Sequence, residues 1–240
     1  MTSQIHPVGP EGSGAMFDAI AQRYDLVNRL MSLGMDRYWR RQTALQLAQP
    51  RSALDLATGT GDLAIEVAQR YPEAQIVGLD PSARMLEVGR RKIEQLRLGK
   101  RIEFVQGDAQ SLPFPDQSFD AITMAFGIRN VPDRTAALSE IARVARPGAR
   151  IAFLELTEPK GHGLAWLARL HVHFVVPALG AILSGPREYA YLSRSIRAFP
   201  APPDFVKLAE QSGLQLIRLS PFSLGACHLF LMAPRAEGIA

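Results

Sequence analysis

The residues with the clearest chemistry lie in one run, Leu54-Asp55-Leu56-Ala57-Thr58-Gly59-Thr60-Gly61-Asp62-Leu63. Two glycines sit between an apolar run and a stretch with Leu63, Val67 and Ala68 on one helical face. That order predicts strand, tight turn, helix. Residues without a Cβ let the backbone of such a turn approach a ligand. Gly59-x-Gly61-x-x-Ala64 also fits the looser dinucleotide pattern, so the turn alone admits several nucleotide-type ligands. Asp80 closes the next predicted strand, about 20 residues further on. An ionised carboxylate there only accepts, which suits two ribose hydroxyl donors. NAD and S-adenosylmethionine (SAM) both carry such a ribose.

A third element separates the two ligands. Gly107-Asp108-Ala109 follows the third predicted strand and leads into Leu112-Pro113-Phe114-Pro115. Asp108 can accept from an adenine amino group, and the Pro-Phe-Pro stretch can wall the ring. No Tyr-x-x-x-Lys proton-relay pair occurs in the chain. Asp55 and Asp62 flank the glycines, where they would repel a pyrophosphate. The ammonium and sulfonium of SAM tolerate or gain from that charge, and its carboxylate can still use the N–H groups of the turn. The sign favours SAM.

These residues must be held by alternating strands and helices. Strands are predicted at 53–57, 76–80, 102–105, 119–126 and 150–155, with two more near 214–219 and 228–232. Ser82 is a predicted N-cap for a helix with Leu86, Ile93 and Leu96 on its apolar face. A helix over 133–146 is expected to stop at Pro147-Gly148, and the last over 203–212. The fold class is α/β: a Rossmann-like, seven-stranded, mostly parallel sheet with helices on both faces. Residues 16–234 read as one domain with a helical extension (16–49) and an apolar insertion (160–200). Residues 1–15 and 235–240 read as tails.

Composition narrows the classes. The chain has 240 residues and a net charge of +4, with its basic residues scattered. The short group Arg90-Arg91-Lys92 reads as a solvated face, so no nucleic-acid partner is expected. A lone cysteine, Cys227, permits no disulfide within the chain and fits a cytoplasmic location. The first residues lack the basic start and apolar core of a signal peptide. Residues 164–183 are apolar but interrupted by Arg169, His171, His173 and Pro177, which argues for a buried or interfacial segment and not a membrane span. No metal site is expected.

The chain resembles a known family. D-L-A-T-G-T-G-D, G-L-D-P-S, G-D-A and L-P-F-P-D-Q-S-F-D are similar to the consecutive motifs of class I SAM-dependent methyltransferases. More narrowly, they resemble the ubiquinone/menaquinone biosynthesis C-methyltransferase family. Tyr24-Asp25-Leu26-Val27-Asn28, Phe126-Gly127-Ile128-Arg129-Asn130 and the run from Arg143 to Glu155 are similar to that family's further signatures. Asp36 stands where the signature often has His, and Ala125 where many members have Ser.

The resemblance implies SAM as cofactor, with Asp55, Gly59, Thr60, Gly61, Asp80, Asp108, Ala109 and Ala125 at its site. It implies a prenylated quinol as partner, most simply demethylmenaquinol converted to menaquinol. The benzoquinol of ubiquinone biosynthesis is an alternative, as are an NAD-dependent oxidoreductase and a non-catalytic SAM-binding module that docks to membranes. Tyr24, Asn28 and Asn130 are placed on the quinol side. Arg129 follows the fourth strand and is the candidate catalytic cation, expected to stabilise charge developing on the quinol oxygen. A water or one of His6, His162, His171, His173 and His228 is expected to take the proton. Peripheral membrane contact through 160–200, where Leu164, Leu167, Ala168, Phe174 and Val175 share a helical stripe, and a homodimer are further expectations.

Overall fold

The computed structural model describes residues 18, 21–158 and 186–235. Two short helices, α1 (Tyr24–Met31) and α2 (Met35–Ala44), precede the sheet. Then follow β1 (Ser52–Leu56), α3 (Asp62–Arg70), β2 (Gln75–Asp80), α4 (Ala83–Gln95), β3 (Ile102–Gln106) and β4 (Phe119–Ala125). The chain continues through α5 (Arg134–Val144), β5 (Ala145–Leu156), α6 (Pro186–Ala198), α7 (Pro202–Gln211), β6 (Leu214–Phe222) and β7 (Cys227–Pro234).

The sheet has seven strands in the order β3-β2-β1-β4-β5-β7-β6. The five strands from β3 to β5 pair in parallel. β7 runs antiparallel to both β5 and β6. The chain turns outward on one side of β1 to build β2 and β3, then crosses to the other side for β4. Ligands of open α/β sheets bind at the carboxyl ends of the strands at such a reversal.

Side chains alternate across the pleat to fill two cores. Ala53 joins α2, α3 and α4 on one face, through Trp39, Leu63, Val67 and Leu86. Leu54 and Leu56 join α5 and α7 on the other, through Ile141 and Phe205. Phe205 has no exposed surface and packs edge-on against Phe153 (5.5 Å between centroids) and Phe230 (4.8 Å).

Two expectations are corrected. The helix expected over 133–146 ends at Val144, and Pro147-Gly148 lies inside β5. The partners of Phe119 and Ala121 on β5 are Ala145 and Arg150, so the strand bulges between them, where Pro147 has no N–H to give a ladder. Leu96 is the C-cap of α4 and is 48% exposed, so it leaves the buried face. Within the extension 16–49 the described helices are α1 and α2, and Gly34 takes φ +78° between them. The Ser82 cap holds, its hydroxyl accepting from Met85 N–H at 3.1 Å. Most of the apolar insertion, with its stripe and His162, His171 and His173, lies outside the described residues, as does His6. No helix among the described residues is long and apolar enough to cross a membrane.

Candidate active site

The turn after β1 is built on a buried carboxylate. Asp55 points away from Leu54 and Leu56, and its oxygens accept from the hydroxyls of Thr58 (2.6 Å) and Thr123 (2.7 Å). Burial pushes its pKa up to about 6, against the pull of those hydroxyls. Asp55 therefore fixes the floor of the turn. Above it Thr58 N–H donates to Leu79 O, which ties the turn to β2. Gly61 has φ +82°, and a Cβ there would lie 2.6 Å from the Phe104 ring. Backbone sign and crowding both exclude a side chain.

Asp80 closes β2 with one oxygen on Gly59 N–H and the other on Ser82 N–H, each at 2.8 Å. Burial raises it to about 6, opposed by the two backbone donors. The carboxylate thus clamps the turn to the start of α4 while lining a cavity. Asp108 lines the same cavity and accepts from Gln110 N–H and from its side-chain amide. Gly59, Ala109, Ala125 and Asn130 line it too, and Tyr24 reaches in from α1. Thr60 and Asp55 line a smaller cavity with Arg40 and Asp62, and it shares Tyr24, Ala57, Gly59 and Ala125 with the first. Asn28 lies one turn from Tyr24 on α1. Burial pushes the Tyr24 phenol up, against Asn28 and the charges of Arg129 and Arg40. At neutral pH it remains a donor.

Arg129 is placed differently from the expectation. Its Nη1 donates to Glu155 Oε1 at 2.5 Å and to Phe126 O at 2.7 Å. Its own N–H donates to Glu155 Oε2 at 3.2 Å. Glu155 is wholly buried on β5. The cation is therefore neutralised beneath the loop after β4, while its neighbours Gly127 and Asn130 face the cavity. It does not stand free at a quinol oxygen. Arg134 reinforces the same loop, donating to Ile128 O and Arg129 O. His228 is also not at the cavity; its Nδ1 lies 2.7 Å from the Thr157 hydroxyl.

Several site residues escape a linear reading. Lys92 Nζ bonds Asp25 Oδ2 (2.7 Å), Thr60 Oγ1 (3.0 Å) and Asp62. Thr60 in turn donates to Asp25 Oδ1 at 2.6 Å. Burial raises Asp62, but Lys92 together with the charges of Arg40 and Arg29 outweighs it, and the carboxyl is held below its usual range. This cluster pins α1, and with it Tyr24, onto the glycine turn. The reading of Arg90-Arg91-Lys92 as a solvated face fails at Lys92. A signal existed: position 92 shares a helical face with the buried Met85 and Gly89. Asp36 is buried against Arg40 Nη1 (2.6 Å) and the Ser32 hydroxyl (3.0 Å).

The carboxyl edge of β1, β2 and β4 thus presents what an adenosyl ligand needs: bare backbone, one fixed acceptor, a second acceptor further out and an apolar floor. Comparison with known proteins agrees. Residues 8–232 match the ubiE/COQ5 methyltransferase family. A demethylmenaquinone methyltransferase of Deinococcus radiodurans is 45% identical over 203 residues, 83% of each chain. A ubiquinone/menaquinone biosynthesis C-methyltransferase of Syntrophotalea carbinolica is 42% identical, over 90% of this chain and 91% of its own. The crystal structure of a putative SAM-dependent methyltransferase from Methanococcus maripaludis shares the fold, with a TM-score of 0.69 and 16% identity over 94% of this chain and 96% of that one. The chain belongs to the ubiE/COQ5 methyltransferase family.

Proposed function

We propose that this protein transfers the methyl group of SAM to a ring carbon of a prenylated quinol, with demethylmenaquinol as the first substrate to test. The names of its relatives support that substrate class. The benzoquinol of ubiquinone biosynthesis is the second substrate to test, on the name of the Syntrophotalea relative. The observation that carries the cofactor assignment is the Asp80 clamp. Two backbone donors fix the carboxylate, yet each oxygen keeps a lone pair at the cavity wall.

SAM, when bound, supplies an electrophilic methyl group. Asp80 accepts from the ribose hydroxyls, and Asp108 with the backbone of Ala109 reads the adenine edge. Gly59 and Thr60 leave room for the amino-acid end, Gly61 lets the turn pass close over Phe104, and Ala125 would wall the space between cofactor and acceptor. Asp55 acts from below, by holding Thr58 and hence the turn. Tyr24, as a protonated phenol, and Asn130, held by the Tyr191 hydroxyl at 3.1 Å, orient the quinol, with Asn28 behind Tyr24. Arg129 is a positioning residue that fixes the backbone of the 126–130 loop. Orienting the ring carbon toward the donor is what these residues would contribute to the rate.

The test is methyl transfer from labelled SAM to reduced demethylmenaquinone and to a demethyl-benzoquinol, with the product mapped by mass spectrometry. Label on a ring carbon supports the reading. Tight NADH binding without SAM binding would overturn it in favour of an oxidoreductase.

A further inference from the structure

The acids of the N-terminal helical pair all turn inward. Asp25 is bound by Thr60 and Lys92, and Asp36 by Arg40 and Ser32. What remains outside is unusual for a water-facing surface. Five of the nine large apolar side chains exposed among the described residues fall in this pair: Leu26, Leu30, Leu33, Met35 and Tyr38. The other exposed residues between 22 and 41 are Arg23, Arg37, Arg41 and Gln22, with no carboxylate among them.

The apolar residues repeat at helical spacing on each helix of the pair. Positions 26, 30 and 33 follow helical spacing along α1 and its C-terminal turn, and Met35 and Tyr38 repeat it on α2. Leu33 is the sharpest case. It is 71% exposed and takes φ +52°, a conformation costly for a branched side chain. Neither burial nor backbone preference accounts for leucine there. The face also continues: Tyr38 packs edge-on against Phe222 at 6.1 Å, two residues before Leu224, which is 53% exposed.

We propose that this face is a docking surface for an anionic lipid bilayer. Leucines, a methionine and a tyrosine enter the acyl boundary, while the three arginines meet lipid phosphates at its rim. Apolar side chains accompanied by three exposed arginines and no exposed carboxylate complement negative headgroups over hydrocarbon. The same helix that carries Leu26 and Leu30 carries Tyr24 into the active-site cavity. A prenylated quinol could then pass from the bilayer to the cavity beside α1. That last step rests on the function proposed above; the docking surface itself does not.

The test is co-sedimentation of the full chain with phosphatidylglycerol/phosphatidylcholine vesicles and with pure phosphatidylcholine. The wild type should bind the anionic vesicles, less so at high salt or on pure phosphatidylcholine. The double variant Leu30→Glu/Leu33→Glu should lower the partition coefficient by about tenfold or more, with an unchanged circular dichroism spectrum and Tm. Arg37→Gln/Arg41→Gln should lower it roughly several-fold, on anionic vesicles only. Absence of wild-type binding would overturn the proposal, as would undiminished binding by the leucine variant. So would a wild-type dimer that this variant converts to monomer without any vesicle binding, because the face would then join two copies of the chain. Both variants should still methylate a short-chain, water-soluble demethylquinol. If the wild type binds vesicles but methylates no quinol, the functional reading fails and the surface stands.

Discussion

The turn after β1 and the loop after β4 sit side by side at the carboxyl edge of the sheet, and both carry conspicuous motifs. Each has a non-glycine residue forced into the left-handed region, Ala57 at φ +48° and Phe126 at φ +58°. Strain of this kind gathers at functional sites. Their charges are used in opposite ways. At the first, Asp80 is held by backbone donors and faces the cavity. At the second, Arg129 spends its charge on Glu155 inside the protein and only the loop it shapes reaches the cavity. A motif residue can therefore serve by contact or by setting the shape of its neighbours, and charge alone does not tell which.

The largest effect is expected at the internal pair. Arg129→Met leaves the buried Glu155 unpaired and should cost about 3–5 kcal/mol of stability, while Arg129→Met/Glu155→Met should recover most of it. Chemical denaturation measures both. If Arg129→Met keeps the wild-type stability but loses turnover, the arginine works on the ligand and the contrast collapses. Gly127→Ala probes how closely the two loops approach. A Cβ there would lie 2.5 Å from Ala57 Cβ, and such overpacking costs roughly 1–3 kcal/mol. Its Tm should fall accordingly.

At the cavity side, Asp80→Asn should weaken SAM binding by about ten- to a hundredfold, the worth of hydrogen bonds to a charged group. Isothermal titration reads this directly, and an unchanged Kd would remove Asp80 from the site. The pH dependence sharpens the same point. Asp80 and Asp55 are raised from 3.8 to about 6 by burial. The unliganded fold thus holds their protons more tightly than the unfolded chain, and stability from this source declines as pH rises from 3.8 to about 6. Ribose hydroxyls need the ionised form, so SAM affinity should fall as pH drops below about 6, by at most about tenfold per pH unit. A flat profile between pH ~5 and ~7 would contradict a charged Asp80 contact.

The smallest effect belongs to the link between α1 and the glycine turn. Lys92→Met frees Asp25 and Asp62 and should destabilise the attachment of α1 by about 1 kcal/mol, as for other partly exposed ion clusters. Faster amide exchange in α1, with partial rescue by Lys92→Arg, would show it. Unchanged exchange would mean that apolar packing alone holds the helix.

The alternation of strands and helices, the glycine turn, and the order in which Asp80 and Asp108 follow it are all legible along the chain. These are local matters of period, glycine placement and spacing from a strand end, and they need no partner far along the chain. The tertiary structure decided which charges meet. Glu155 lies 26 residues from Arg129, and Lys92 lies 67 from Asp25. Nothing in the local pattern of either residue specifies its partner, because pairing at that distance is set by how the sheet is wound. The same is true of the outward face of α1 and α2. Its apolar residues are visible in the sequence, but that they stay uncovered while every acid turns inward emerges only once the helices are seated against the glycine turn.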